Sequence, residues 1–321
     1  MTMIRAQYSQ VLAPGIEHNF VEFLDLKHRD RQYDKVFNID NTTRAFEDEV
    51  QFAGTGPAPE LTEGENVAYV DLIQGGTKRY VPLKYALGSR ISYELIQDDL
   101  YGIIKQAPKA LAFSMAFTEE MVPWNIFNNG FSTIVTTDGV SLFNNAHPLL
   151  GGANATNTGP GLGNVISTAG TYPNRPATDV DISFTGIQLM TNHFNRMTDS
   201  LGLPVHIKAT KLVIPPELIF TCRELLGSPG KVGVQSPNVG NEINALLGEE
   251  LTYMVSSYLT SATAWYAVTE KEHHQLKFKW RKSVDTDYDD DFDTQAVKML
   301  TYMRIAAGAT HWIGTWGSNG P

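Results

Sequence analysis

The longest helical pattern in this chain of 321 residues runs from Ser92 to Gly130, and it constrains what the rest can form. Pro108 predicts a bend, because proline cannot donate to the carbonyl of Ile104, and Asn128-Asn129-Gly130 predicts the end of the helix. A helix of about 20 residues is about 30 Å long, enough to cross a domain. Residues at spacings of three and four define one side of this helix: Leu100, Ile104, Ala107, Leu111, Met115, Thr118, Val122 and Ile126.

Composition narrows the class of protein. The chain is 42% hydrophobic and 19% charged, as in ordinary globular proteins. The net charge of −10 argues against a protein that clamps DNA with a basic face. No run of 18 apolar residues is present, and the N-terminus lacks the basic-then-apolar order of a secretory signal. We therefore expect a soluble protein made in a cytoplasm, with no membrane association.

The segments before the long helix have no hydrophobic core of their own. Residues 1–45 predict an arm with a short helix at 16–26, and residues 46–90 predict a long β-hairpin with a turn-rich tip. An isolated two-stranded hairpin is marginal in water, so both segments are expected to pack on a partner surface. The last residues, 317–321, predict a flexible tail that neighbouring chains would hold.

The residues after the long helix predict a mixed α+β body. Asp138-Gly139 is typical of a tight turn between two strands. Helices are expected at 182–197 and from Pro215-Pro216 to residue 226, where proline suits the first turn. Strands are expected at 204–214, 251–259, 264–268, 276–280 and 296–307.

Catalytic motifs are absent from the sequence. There is no phosphate-binding glycine loop, GxSxG, HExxH or CxxC pattern. Cys222, the single cysteine, lies in an apolar helical pattern that is typical of packing. His147 has no second metal ligand at a suitable spacing, which favours a structural hydrogen bond. A soluble enzyme using Cys222 or His147 is a remote alternative.

An acidic run at 285–293 resembles the start of a calcium loop. The pattern fails, because Asp290 and Ala296 occupy the positions that need glycine and glutamate. A solvated turn is therefore favoured over a divalent-ion site.

The strand before the acidic run alternates basic and aromatic residues, with Lys277, Lys279 and Arg281 around Phe278 and Trp280. Stacking on nucleic acid needs both kinds of side chain on one face. Because they fall on opposite faces here, the aromatic face is predicted to lie in a protein core.

A further set of short segments keeps a fixed order over nearly the whole chain. None is a chemical motif by itself, but in their order and spacing they resemble the major capsid proteins of tailed bacteriophages, in the Mu-like major head subunit group. The segments are 67–71, 78–80, 85–88, 91–94, 128–131, 138–148, 212–216, Ser228, Asn241, 264–266, 304–312 and 317–320.

This resemblance implies an α+β Hong Kong 97-type capsid fold. Its parts would be an N-terminal arm at 1–45, an extended β-hairpin loop at 46–90, and a peripheral domain at 91–179 with a spine helix at about 97–129. An axial domain would follow at 180–270, with returning peripheral strands and a tail at 271–321. The apolar side of the spine helix is expected to face the strand around 299–305.

The resemblance also implies a structural function without catalysis, cofactor or metal. The subunit would assemble with itself into hexamers and pentamers of an icosahedral head around double-stranded DNA, which it contacts non-specifically. Expected partners are a portal protein, a separate scaffolding protein and, as an optional component, a decoration protein, with assembly in the bacterial host cytoplasm. An encapsulin-like compartment holding enzyme cargo is the alternative.

Contacts between subunits are expected in the hairpin, the basic strand and the acidic run. Lys78 and Lys84 lie in the loop that carries a lysine-to-asparagine crosslink in part of this superfamily, but no partner asparagine is assigned. The predicted contact residues are Gly54, Pro57, Pro59, Glu60, Glu63, Glu65, Lys78, Arg79, Lys277, Lys279, Arg281, Asp289, Asp290 and Asp291.

Overall fold

Packing divides the chain of the computed structural model into two units. The first comprises Met1–Glu47, Tyr80–Trp124 and Phe278–Ala307, and the second comprises Asp48–Arg79, Asn125–Lys277 and Gly308–Pro321. The domain boundaries implied by the resemblance stay a prediction. The structure describes residues 20–52, 58, 60–64, 66–67, 69, 74–92, 94–95, 98, 106–149, 171–201, 203–228, 246, 250–291 and 296–320.

The first unit contains a four-stranded sheet in the order β1-β10-β11-β4. Its strands are β1 (Asn38–Asn41), β4 (Leu83–Ile91), β10 (Leu276–Asp290) and β11 (Val297–Ala309). Strands β11 and β4 are antiparallel. Met299, Met303 and Ile305 are buried, as the period of two in a strand requires for one face.

Helix α2 (Gln106–Asn128) is the predicted long helix. Leu111 and Ala112 pack in one apolar cluster with Met299 of β11, which confirms the predicted contact between this helix face and the long strand. Pro108 lies in the first turn of α2, where its missing N–H breaks no helical hydrogen bond. Most of the predicted helix before Pro108 falls outside the described residues, so the bend stays a prediction.

The arm packs on its own chain. Residues 20–28 form helix α1, which overlaps the predicted helix, and Phe20 joins the cluster around Leu111. Tyr33 is fully buried, with its ring centroid 4.5 Å from that of Phe278 in β10. The expectation that the arm finds its core on neighbouring subunits is therefore wrong for residues 20–37, because α2 and β10 supply that core.

The second unit contains a mixed sheet in the order β12-β9-β7-β8. Strands β7 and β8 are parallel, and the other neighbours are antiparallel. Two helices, α3 (Phe184–Asn195) and α4 (Ile219–Gly227), contribute to a core that includes Trp265 and Trp316. The strands are β7 (Lys211–Ile214), β8 (Thr252–Val255), β9 (Trp265–Val268) and β12 (Thr315–Ser318). Two short strands, β5 (His147–Pro148) and β6 (Thr171–Tyr172), pair with each other.

The C-terminal end of the chain is a buried strand. All four residues of β12 are buried, and the strand pairs with β9 of the same chain. A Cβ atom on Gly317 would lie 2.9 Å from the Phe143 ring, so the close approach needs glycine. The expectation of a flexible tail held by neighbouring chains is therefore wrong for Gly317 and Ser318.

Most of the acidic run is strand. Strand β10 continues to Asp290, with Asp285, Asp287 and Asp289 exposed, while Val284 and Tyr288 pack on the first unit's core. The predicted solvated turn is therefore wrong for 285–290, where acidic residues alternate with residues that face the protein.

Candidate functional site

The predicted hairpin is present at its base, where β2 (Glu47–Phe52) pairs with β3 (Gln74–Tyr80). Across the two strands, Arg79 donates two hydrogen bonds of 2.7 Å to the carboxylate of Asp48. Phe52, Val67 and Tyr69 are 62%, 61% and 97% exposed. All three therefore present apolar side chains to solvent in the single chain.

One face of β2 holds the hairpin to its own chain. Alternation puts Glu49 and Gln51 on the same side of the strand. The Glu49 carboxylate accepts from Thr310 Oγ1 at 2.6 Å and from Lys277 Nζ at 2.9 Å. At the start of the strand, Glu47 accepts from Lys279 Nζ at 2.6 Å, and this hydrogen bond lowers the pKa of Glu47.

Gln51 is buried between two residues that come from distant parts of the sequence. Its side-chain amide lies 2.8 Å from Thr137 Oγ1 and contacts His311 Nε2. Because the backbone N–H of Ile313 donates to His311 Nδ1 at 3.0 Å, the proton of the neutral imidazole lies on Nε2. The hydrogen-bond network therefore assigns the Gln51 oxygen to His311 and its NH₂ group to Thr137. Burial lowers the pKa of His311 to about 4, which keeps the ring neutral.

Strand β3, which pairs with β2, contacts the turn that contains Thr137. A Cβ atom on Gly76 would lie 1.7 Å from the carbonyl oxygen of Thr137, so no side chain fits. Lys78 Nζ donates to the carbonyl of Val135 at 2.6 Å, and burial lowers the pKa of Lys78. The turn itself is the predicted one at Asp138-Gly139, with Gly139 at φ 82°.

A buried polar network supports this turn. Asp138 Oδ2 lies 2.6 Å from His147 Nδ1, and His147 Nε2 lies 3.0 Å from Asn174 Oδ1. The imidazole also stacks on Trp312, with ring centroids 4.8 Å apart. Burial acts to raise the pKa of Asp138, but hydrogen bonds from His147 and Thr136 outweigh it and leave that pKa below its usual value. The structural role predicted for His147 is confirmed.

Sequence reasoning missed a second buried polar site, in the first unit. On α2, Glu119 accepts from the Tyr33 hydroxyl at 2.7 Å and pairs with Arg31 at 2.7 Å. Glu120 accepts from the Gln32 N–H at 2.6 Å and from Trp124 Nε1 at 2.9 Å, and burial raises its pKa. The available signal was a pair of adjacent carboxylates beside the apolar side of the long helix.

The remaining predicted residues are spread over the chain. Cys222 is buried in α4, and burial raises its pKa to about 12, which confirms the packing interpretation. Among the described residues, no group of histidine, cysteine and acidic side chains is suited to hold a metal ion. Within the same residues, no helix is both long and apolar enough to cross a membrane.

The predicted contact residues have different surroundings within the chain. Gly54, Pro57, Pro59 and Glu65 lie outside the described residues, as does the side chain of Asp290 in β10. Glu60, Glu63 and Asp289 are exposed. Arg281 donates to the Thr43 carbonyl at 2.6 Å, and Asp291 pairs with Lys298 at 2.7 Å. The role of all of these residues in contacts between subunits stays a prediction.

A hairpin, a long helix packed on long strands and a second mixed sheet are the parts expected of a Hong Kong 97-type capsid fold. A family model described as phage capsid protein matches residues 75–317. The chain belongs to this phage capsid protein family, and it is therefore a structural component of the capsid of a phage virion.

Solved structures show the same fold at low sequence identity. The capsid of cyanophage P-SCSP1u matches with a TM-score of 0.57 and 8% identity, over 89% of this chain and 86% of that chain. The procapsid of bacteriophage JBD30 matches with a TM-score of 0.50 and 14% identity, over 98% of this chain and 76% of that chain. The virus-like particle from Pyrococcus furiosus matches with a TM-score of 0.50 and 8% identity, over 94% of this chain and 96% of that chain. No curated protein matches. The narrower Mu-like group stays a prediction.

Proposed function

We propose that this chain is the major head subunit of a tailed phage and that the hairpin of each copy lies on a neighbouring copy. The observation that carries this proposal is the contrast within the hairpin. Its base is held by buried polar contacts, whereas Phe52, Val67 and Tyr69 are exposed. Burying these apolar side chains on another copy would remove them from water and so favour association.

The geometry of such a contact suits a closed shell. A hairpin that meets a different surface on its neighbour forms a heterologous contact, and contacts of this kind build rings when the rotation closes. Rings of six and five subunits then give hexamers and pentamers. Exposed Phe113, Phe117 and Met121 on α2 offer further apolar surface for such contacts.

The other partners follow from the same role. A portal protein, a separate scaffolding protein and an optional decoration protein would join the subunit during assembly in the bacterial host cytoplasm. The net charge of −10 suits a container that contacts double-stranded DNA only weakly and without sequence preference. The subunit itself would carry out no catalysis.

Deletion of residues 54–64 tests the hairpin contact. The deletion keeps β2 and β3 but shortens the segment between them, which carries Val67 and Tyr69, and so moves these side chains away from the contact. A soluble subunit that forms no shells is expected by electron microscopy. Glu217→Gln, which changes an exposed polar side chain just before α4, is the control and should assemble normally. Normal particles from the deletion variant would refute the contact.

The fold is shared with the virus-like particle from Pyrococcus furiosus, so we keep a second candidate, a compartment that holds enzyme cargo. The two functions differ in what fills the particle. Purified particles rich in double-stranded DNA would support the phage head, and particles filled with a second protein would support the compartment.

A further inference from the structure

We propose that four residues at the base of the hairpin are positioning residues, which set the direction of the hairpin and thereby the diameter of the closed shell. The proposal rests on the proposed function, since it requires that the hairpin contacts a neighbouring copy. We call these residues the hairpin anchor: Gln51, Gly76, Thr137 and His311.

Thr137 contacts both strands of the hairpin. Its carbonyl oxygen lies against the backbone of Gly76 in β3, and its hydroxyl lies 2.8 Å from the Gln51 amide in β2. The backbone N–H of Thr137 donates to the Thr310 carbonyl at 3.0 Å, beside His311. Because a single residue meets both strands at fixed distances, it restricts sliding and tilting of the hairpin base.

The contacts of Gln51 depend on the orientation of its side-chain amide. A side-chain amide satisfies both neighbours in only one orientation, with its oxygen towards His311 and its NH₂ group towards Thr137. A buried amide that loses these partners is left with unsatisfied polar atoms, which is unfavourable, so the hairpin is held in the position that satisfies them. An alanine at this position removes both contacts and leaves the strand pairing of β2 and β3 in place.

The backbone of Gly76 lies close to the carbonyl oxygen of Thr137. The Cβ atom of an alanine at this position must move about 1.3 Å away from that oxygen to reach 3.0 Å, the shortest distance that real Cβ atoms show. Gly76 lies four residues, or about 13 Å, from the end of β3 at Tyr80. A tilt of 1.3 Å over this distance grows to about 2 Å at Gln74, where β3 begins. Because the displacement grows with distance from Tyr80, it moves the hairpin off a fixed contact surface on the neighbour.

Three variants test the anchor. Gly76→Ala and Gln51→Ala change it, and Thr77→Ala is the matched control, since Thr77 is exposed and adjacent to Gly76 in β3. Urea unfolding of the unassembled subunit reports stability, and cryo-electron microscopy reports particle diameter. We expect all three variants to unfold cooperatively. Wild type and Thr77→Ala should form shells of one diameter, and the two anchor variants should form open or variably sized particles, with at least a fivefold lower yield of uniform shells.

The outcomes separate the two proposals. Uniform shells of wild-type diameter from both anchor variants would overturn the anchor and leave the proposed function intact. Loss of cooperative unfolding in both variants would overturn it in favour of a general structural role, and if only Gly76→Ala misfolds, Gln51→Ala decides. Failure of the wild-type chain to form any shell, both alone and with the scaffolding protein, would instead refute the proposed function.

Discussion

Mild acid is predicted to destabilise the second unit through three histidines, His193, His274 and His311. Burial lowers the pKa of each from 6.5 to about 4. Because the folded-state pKa is the lower one, the unfolded chain binds more protons below pH 6.5, and the stability present above that pH falls until about pH 4. Between pH 7 and pH 5 each histidine lowers the free energy of unfolding by about 2 kcal/mol, and the three together lower it by about 5–6 kcal/mol.

Burial is the main physical reason for all three histidines, and hydrogen bonds add to it for two of them. The backbone N–H of Ile313 donates to His311 Nδ1, and that of Leu276 donates to His274 Nδ1. A proton on either nitrogen removes the acceptor and leaves a buried charge. Asp138 also has a lowered pKa, but its contribution is lost only as the pH approaches the ordinary carboxyl range of about 4.

Urea unfolding of the unassembled subunit between pH 7.5 and pH 5, followed by tryptophan fluorescence, measures the effect. His193→Gln should recover about 2 kcal/mol of the loss at pH 5, since one titrating group is gone. His273→Gln is the control, because its side chain is exposed, and it should follow wild type. An unfolding free energy that is equal at pH 7 and pH 5, or a His193→Gln variant as acid-sensitive as wild type, would refute the reasoning.

Two further predictions concern the first unit, and urea unfolding measures both. Leu111→Ala should lower the free energy of unfolding by about 2–5 kcal/mol, because it leaves a cavity under the sheet. Met121→Ala, on the exposed side of α2, should lower it much less. Equal losses for the two variants would contradict the assignment of the buried face. Glu119→Gln should cost about 3 kcal/mol, because it leaves the Arg31 guanidinium without its carboxylate, and should speed proteolysis between the arm and α2. The exposed Glu217→Gln is its control, and unchanged proteolysis of Glu119→Gln would show that this carboxylate does not hold the arm.

The sequence predicted those helices, strands and turns that depend on residues close together in the chain, such as apolar residues repeating with the helical or strand period. The spacing around Leu111 gave the helix and its buried face, Asp138-Gly139 gave the turn, and the alternation around Phe278 gave the buried side of β10. The order of short segments along the chain predicted the capsid family that the family model then matched. Each of these features depends on neighbouring residues or on their order, which a single sequence contains.

Tertiary structure alone decided which polar residues become buried and what covers each face. Gln51 and His311 are 260 positions apart, and nothing near either residue indicates that they touch. As a charged residue on a helix, Glu119 would be expected in solvent, but Tyr33 and Arg31 of the arm bury it. The residues around Gly317 are typical of a flexible tail, but pairing with β9 makes them a strand. Periodicity shows which side of an element avoids water, whereas the partner on that side is chosen by packing between segments far apart in the chain.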